Sequence, residues 1–274
     1  MKCAPHRKGE SSCFSRDELV EIAKYYNTFS QICKSKKQCI PVKIIENIDL
    51  KSKDTLYTDL LSRFQKLCKN DESCWVDLDF IDKIQDVKFV HNLKYFTFKP
   101  KMSGGRWQWL NTMDINFVLQ QYQLVDPQFY FLGAQPSDFL EFKPDPINLD
   151  DLRQQNIKHI GLILNTDPHH KPGSHWVAIY IENLKTLEYF DSTGDLPNKH
   201  PYIKRCLTKL KKIFGLKKKD ISINTKIHQT GSSECGVYSI YFIIQRLLGN
   251  DFTEITETIV QDKEMNLFRN FIFQ

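Results

Sequence analysis

The sequence predicts an α+β protein in which a mostly antiparallel sheet packs on one buried helix, preceded by a mainly helical region. Three observations predict it. Short β-rich runs at Ile160–Leu164, Trp176–Ile181, Leu187–Phe190 and Ile221–Ile227 are interleaved with helical patterns at Ile203–Phe214 and Cys235–Leu248. Val237–Leu248 is apolar nearly all round, as a central helix must be. The first third of the chain shows one-sided helical spacing instead.

The elements follow in order. Ser15-Arg16-Asp17-Glu18 reads as a capping box with Ser15 as N-cap and Glu18 at N3, and Leu19, Ile22 and Ala23 then share a helical face up to Tyr26. Tyr57–Leu67 is a second helical segment. Tyr95-Phe96-Thr97-Phe98 alternates like a strand, and Lys99–Gly105 reads as a loop, so a boundary is expected there. Residues 1–98 form an accessory region and residues 99–274 a second domain. Trp109–Gln121 is helical, with Ile115, Val118, Leu119 and Tyr122 at helical spacing, and Gly249-Asn250 stops the last long helix.

Composition sets outer limits. A chain of 274 residues, 41% hydrophobic and 26% charged, can build a core without staples. It holds no run of eighteen apolar residues, so membrane insertion is not expected. Met1–Cys13 lacks an apolar signal core, which points to a cytosol-like compartment. The net charge of +5 is partly local, with Lys209, Lys211, Lys212, Lys217, Lys218 and Lys219 in one segment. A solvated helix face and turn is the plain reading of the Lys209–Lys219 run; a nucleic-acid or acidic-partner patch is the alternative. Six of eight cysteines lie in the first 74 residues, and Cys33–Cys39 and Cys68–Cys74 repeat one spacing. That spacing is not a zinc ribbon's, and reduced thiols are expected, with disulfides or a metal as alternatives.

The chemistry concentrates in two places. A hairpin folded about Asn183 would pair residues whose numbers sum to about 366, setting His175 opposite Asp191 with Cβ atoms within about 5.5 Å. A carboxylate on Nδ1 would leave Nε2 to take a proton, although a solvent-facing His–Asp pair at a sheet end is the simpler reading of this feature alone. Downstream, Gln229-Thr230-Gly231-Ser232-Ser233-Glu234-Cys235-Gly236 leads into the buried helix. Cys235 then sits where the helix dipole and a nearby imidazolium both favour thiolate. Gly236 permits close backbone approach. Gln229 and the Cys235 amide could bind an oxyanion. Asp167, His169, His170 and His175 could suggest a metal, but Pro168, Lys171, Pro172 and Gly173 make the segment a substrate-side loop without matching ligands.

Taken together, His175-Trp176, Tyr189-Phe190-Asp191-Ser192 and Gln229 six residues before Cys235-Gly236 resemble the ubiquitin-like-protein (desumoylating) cysteine proteases. Trp109-Leu110-Asn111 with Ile115-Asn116-Phe117 looks like that family's first catalytic-domain helix. The resemblance spans about residues 109 to 248. It implies a papain-like and adenovirus-protease-like core, with His175, Asp191 and Cys235 as triad, Gln229 as oxyanion donor, and no cofactor. It also implies that Trp109 and Trp176 form a narrow tunnel over a Gly-Gly segment of a protein substrate, since only residues without a Cβ fit between the rings.

Thr112 stands where cellular members commonly carry an acid. The cysteine-rich start, Gly133–Phe139, and the tail from Asp262 to Arg269 with Met265 look more like the maturation proteases of large cytoplasmic DNA viruses, the branch of the African swine fever virus polyprotein protease. In that branch Asn can replace the acid; Asp191 keeps the carboxylate. The branch implies cleavage of structural precursors at the viral assembly site in the host cytoplasm, and presence in the virion. A modifier-removing protease shares this chemistry. A non-enzymatic scaffold or nucleic-acid-binding core protein is the rival of another class, and an acyltransferase lacks a cofactor signal.

Overall fold

The computed structural model describes residues 2–7, 11–35, 43–105, 107–142 and 147–274, and it falls into two compact units, Met1–Lys99 and Pro100–Gln274.

The first unit holds α1 (Arg16–Ser35), α2 (Lys53–Cys68) and α3 (Val87–Phe96). The expected capping box starts α1: the Glu18 amide donates to Ser15 Oγ at 3.2 Å, and the Ser15 amide donates to Glu18 Oε2 at 2.8 Å. Leu19, Ile22 and Ala23 point inward with Leu56, Leu60 and Phe64 of α2 around the fully buried Trp75, whose ring stacks on Phe14 and Tyr57. Tyr95 and Phe96 finish α3 instead of forming a strand. Only Phe98 pairs, in one bridge to Cys3. Reduced thiols were the expectation; Cys3–Cys13 and Cys68–Cys74 are instead disulfides, the second closing the turn where α2 ends at Lys69 with φ 54°. Folding brings these sulfurs together in ways that spacing does not reveal. The Cys33 and Cys39 side chains lie outside the described residues.

The second unit opens with α4 (Thr112–Val125). Its capping box of Asn111 and Asp114 starts the helix three residues later than the apolar spacing predicts, leaving Trp109 and Leu110 in the lead-in. Then come β1 (Phe129–Pro136), the short α5 (Phe139–Phe142) and α6 (Leu149–Gln154), β2 (His159–Asn165), β3 (Trp176–Glu182) and β4 (Thr186–Phe190). After them lie α7 (Pro201–Ile213), β5 (Ile221–Ile223), α8 (Cys235–Leu247), α9 (Phe252–Glu257) and α10 (Asp262–Ile272).

The five strands lie in the order β1-β2-β3-β4-β5. The central pairs, β2 with β3 and β3 with β4, are antiparallel; the two edge pairs are parallel. The sheet is therefore mixed, its antiparallel character confined to the centre. β1 lay outside the sequence reading because Gly133, with φ +95°, bulges the strand between Phe131 and Ala134. β5 is shorter than Ile221–Ile227 and stops where the Asn224 side chain turns inward.

The sheet is covered on both faces. Trp176, Ala178, Tyr180 and Phe190 pack against Val237, Tyr238, Ile240 and Phe242 of α8. Val177, Ile179, Ile181, Leu187 and Tyr189 pack against Ile203, Cys206 and Leu210 of α7. Burying β3 on both sides explains why it reads as a continuous apolar run. It also holds α8 rigidly, and with it the residue at its first turn. No helix among the described residues is long and apolar enough to cross a membrane.

Candidate active site

His175 immediately precedes β3, and its carbonyl accepts from the Thr166 amide at 2.8 Å, which extends the β2–β3 ladder to the loop. Asp191 immediately follows β4. The hairpin between them turns on Asn183 (φ 51°) and Leu184 (φ 56°), with the Lys185 amide donating to the Glu182 carbonyl at 3.0 Å. Ala178 consequently pairs with Phe190, and partner numbers sum to 368 instead of 366. The next step of that register sets Asp191 against Val177, so His175 reaches it diagonally past the strand ends.

Contact is made nonetheless. His175 Nε2 lies 2.7 Å from Asp191 Oδ1. The sequence reading put the carboxylate on Nδ1; the diagonal reach requires the outermost ring nitrogen instead. The Cys235 thiol is the ring's other side-chain hydrogen-bond neighbour. Nδ1 is the nitrogen left to face it.

Asp191 is fully buried and well solvated by protein groups. Its Oδ1 also accepts from the Thr193 amide at 2.9 Å and the Thr193 hydroxyl at 2.8 Å, an Asx-type turn. Burial alone would raise this carboxyl; the bonds from His175 and Thr193 outweigh it and hold it below its usual range. Burial likewise works against a charged His175, but the Asp191 and Cys235 contacts prevail and push it up to about 10. The imidazole is thus held as imidazolium at neutral pH.

Cys235 is the first residue of α8 and is 1% exposed. Cys206, the other free thiol among the described residues, is on the buried face of α7, where burial pushes it up to about 12. Gly236 is closely packed: a Cβ there would lie 3.1 Å from Leu110 Cβ and 3.3 Å from Trp176 Cδ1, so those side chains would have to give way. Gln229 is buried, and its amide orientation is fixed at both ends. Oε1 accepts from the Ser192 hydroxyl at 2.7 Å, and Nε2 donates to the Gly231 carbonyl at 3.0 Å.

Trp176 is buried, and its indole N–H donates to the Leu110 carbonyl at 2.8 Å. Trp109 is half exposed. Both line one cleft of about 430 Å³ together with Asn111, Thr112, Asn165, Asp167 and Lys171. Asn165 pins the loop wall by accepting from the Asp167 and Ser174 amides.

Asp138, His169 and His170 bring potential metal-ligand atoms within 4.8 Å of one another; Asp167 and His175 are not in that group. Asp138 already spends both oxygens on His169, accepting from its amide at 2.9 Å and facing its Nδ1 at 2.7 Å. That pairing anchors the loop against the start of α5. Sequence reasoning named Ser192 within a motif but gave it no role, and passed over Thr193 and Asn224, whose amide donates to the Asp191 carbonyl at 2.7 Å. The Asp-Ser-Thr-Gly run carries a readable Asx-turn signal for the first two; Asn224 carries none.

The family model described as the Ulp1 protease family, C-terminal catalytic domain, matches residues 110–273. A protein of Acanthamoeba polyphaga mimivirus named as a thiol protease is 34% identical over 287 residues, covering 99% of this chain and 93% of that one. A protein of African swine fever virus (isolate Tick/Malawi/Lil 20-1/1983) named as a cysteine protease is 26% identical, covering 88% and 92%. The crystal structure of an African swine fever virus protease covers 100% of this chain and 96% of its own with a TM-score of 0.59 at 22% identity, so the fold is shared. A scaffold without catalysis is set aside by this family membership. The chain belongs to the Ulp1 protease family and is a cysteine-type peptidase.

Proposed function

We propose that this peptidase is an endopeptidase that cuts after Gly-Gly in viral structural polyprotein precursors during virion maturation. Cys235 is its nucleophile, His175 its acid–base, Asp191 the group orienting that base, and Gln229 its oxyanion donor. The observation that carries this reading is the imidazole of His175 seated between the Asp191 carboxylate, at 2.7 Å, and the thiol at the first turn of α8.

In the first step the Cys235 thiolate adds to the glycyl carbonyl carbon, and the C=O electron pair moves onto oxygen. The second Nε2 proton of Gln229 and the Cys235 amide, which has no helical acceptor at the start of α8, bind that oxyanion. Collapse breaks the C–N bond, and the His175 imidazolium gives its proton to the departing amine. Neutral His175 then takes a proton from water, whose oxygen attacks the thioester and releases the thiolate. Trp109 and Trp176 wall the cleft where the two glycines would lie; a side chain at either would meet an indole.

The mimivirus and African swine fever virus relatives support a viral substrate, and with it action at the assembly site and in the virion. A ubiquitin-like modifier is the second reading, favoured by the name SUMO-1 cysteine protease given to other African swine fever virus relatives. Incubating purified enzyme with a precursor polyprotein and with modifier conjugates separates the two by which is cut. Cys235→Ala is the control: cleavage that persists in it removes the reading. The exposed Lys212, Lys217, Lys218 and Lys219 support weak nucleic-acid contact. Reversing their charge should flatten the salt dependence of DNA binding; an unchanged slope excludes that contact.

A further inference from the structure

One buried cation is unused by the chemistry above. Arg269 of α10 is 1% exposed. Its guanidinium donates to the Ser233 carbonyl at 3.0 Å and to the Gln108 carbonyl at 2.6 Å, and lies 3.8 Å from Met102 Sδ. No carboxylate lies within ion-pair distance of it among the described residues. A charge buried without a direct ion pair is costly, so a sequence that retains one gains something from it elsewhere.

The two carbonyls it holds belong to segments more than a hundred residues apart in the chain. Ser233 is two residues before Cys235, and Gln108 is the residue before Trp109. One planar fork therefore fixes the nucleophile loop against the segment carrying an indole. The rest of α10 grips the same loop. Asp262 accepts from the Thr230 amide at 3.1 Å, the Thr230 hydroxyl at 2.6 Å and the Gly231 amide at 2.8 Å, while Tyr238 Oη donates to its other oxygen at 3.0 Å. Asn266 donates to Glu234 at 3.4 Å. Asp262, Asn266 and Arg269 stand four and three residues apart, so they form one stripe of the helix. Each contacts a different part of residues 230–234.

We propose that Arg269 is a positioning residue for peptide cleavage: it sets the spacing between the Cys235 loop and the Trp109 segment, and its buried charge favours the sulfur anion. This rests on Cys235 being the nucleophile. Its hold on the Ser233 carbonyl, two residues before Cys235, keeps the charge at the loop that carries the sulfur; burial lowers the guanidinium's proton affinity, while Glu234, Cys235 and Asp114 raise it. A guanidinium stays protonated in such surroundings.

Two substitutions separate spacing from charge. Arg269→Gln removes both, and Arg269→Lys keeps the charge but cannot hold two carbonyls in one plane. Cleavage of a Gly-Gly peptide and the pH dependence of Cys235 alkylation by iodoacetamide are measured on the full chain. Arg269→Gln should lose about a hundredfold in kcat/KM, the scale of a small misplacement of reacting groups. Its alkylation profile should also move to higher pH. Arg269→Lys should restore the alkylation profile while recovering only part of kcat/KM. If Arg269→Gln does not fold, the Lys variant decides by the same two readouts. Wild-type kcat/KM and alkylation in the folded variants overturn this inference alone. Cleavage surviving in Cys235→Ala overturns the reading beneath it, and this inference with it.

Discussion

The Ser192 hydroxyl donates to Gln229 Oε1 at 2.7 Å, tying the residue after Asp191 to the residue six before Cys235. The Ser192 carbonyl also accepts from the His228 and Gln229 amides, at 2.8 and 2.9 Å. The segment that ends β4 and the loop that leads to Cys235 are thus one hydrogen-bonded unit. With Oε1 occupied, the Gln229 amide cannot flip, and its N–H groups point away from Ser192.

This lock predicts a non-additive pair. Gln229→Ala should lower kcat by about a hundredfold or more, as removal of other oxyanion donors does. Ser192→Ala should lower it by about tenfold, the loss expected when a donor is left loosely aimed. The double variant should be no worse than Gln229→Ala alone, because the hydroxyl acts only through the amide. Steady-state kinetics of the four proteins test this; additive losses would break the link.

The pair at His175 and Asp191 predicts a stability plateau with two edges. An imidazole raised from 6.5 to about 10 by folding contributes fully below pH 6.5, and that contribution fades as pH climbs through about 10. A carboxyl lowered from 3.8 contributes fully above that value and fades as pH falls through its folded pKa. Thermal melting followed across pH should therefore weaken at both ends. In Asp191→Asn the acid edge should shrink, and the alkaline edge should move to lower pH by about a unit or more. An unchanged alkaline edge would mean that the carboxylate is not what holds the imidazolium.

Gly236→Ala predicts a shape effect. The new methyl would press on Leu110 and Trp176, which are themselves joined through the indole N–H. Overpacking of this kind costs about 1–3 kcal/mol of stability. Displacement of Trp176 should raise KM for a Gly-Gly peptide more than it lowers kcat. Equal KM in the variant would show that this indole does not touch substrate.

Arg246 predicts a purely structural loss. It is buried, with Nε 2.7 Å from Glu188 and Nη2 3.1 Å from Glu182, and its charge lies 5.0 Å above the Tyr180 ring. Burial pushes Glu188 up to about 7 even with Arg246 beside it. Arg246→Met would strand that carboxylate and should cost about 3–5 kcal/mol. Adding Glu188→Gln should recover part of the loss. Chemical denaturation of the single and double variants measures both effects.

Much of this was legible because it is local. A short hairpin forces its flanks together, so His175 and Asp191 could be paired from numbering alone. An apolar helix headed by Cys-Gly declares its own burial. What escaped depends on single dihedrals or on distant chain. Leu184 in a left-handed conformation moved the register by two, and leucine gives no warning of that. Gly133 and Pro136 disguised β1 as a loop. The Asp262–Arg269 tail was readable as a similarity, but its spacing says nothing of the loop some thirty residues earlier that it clasps.

The disulfides of the first unit carry a practical consequence. Cys3–Cys13 and Cys68–Cys74 close short loops, ten and six residues apart, and each contributes about 2–3 kcal/mol in a chain-entropy account. Cys235 in the other unit, the proposed nucleophile, must stay a thiol to attack anything. A single reductant concentration therefore serves two opposed needs: too little lets the Cys235 thiol oxidise, and too much opens the cross-links of the first unit.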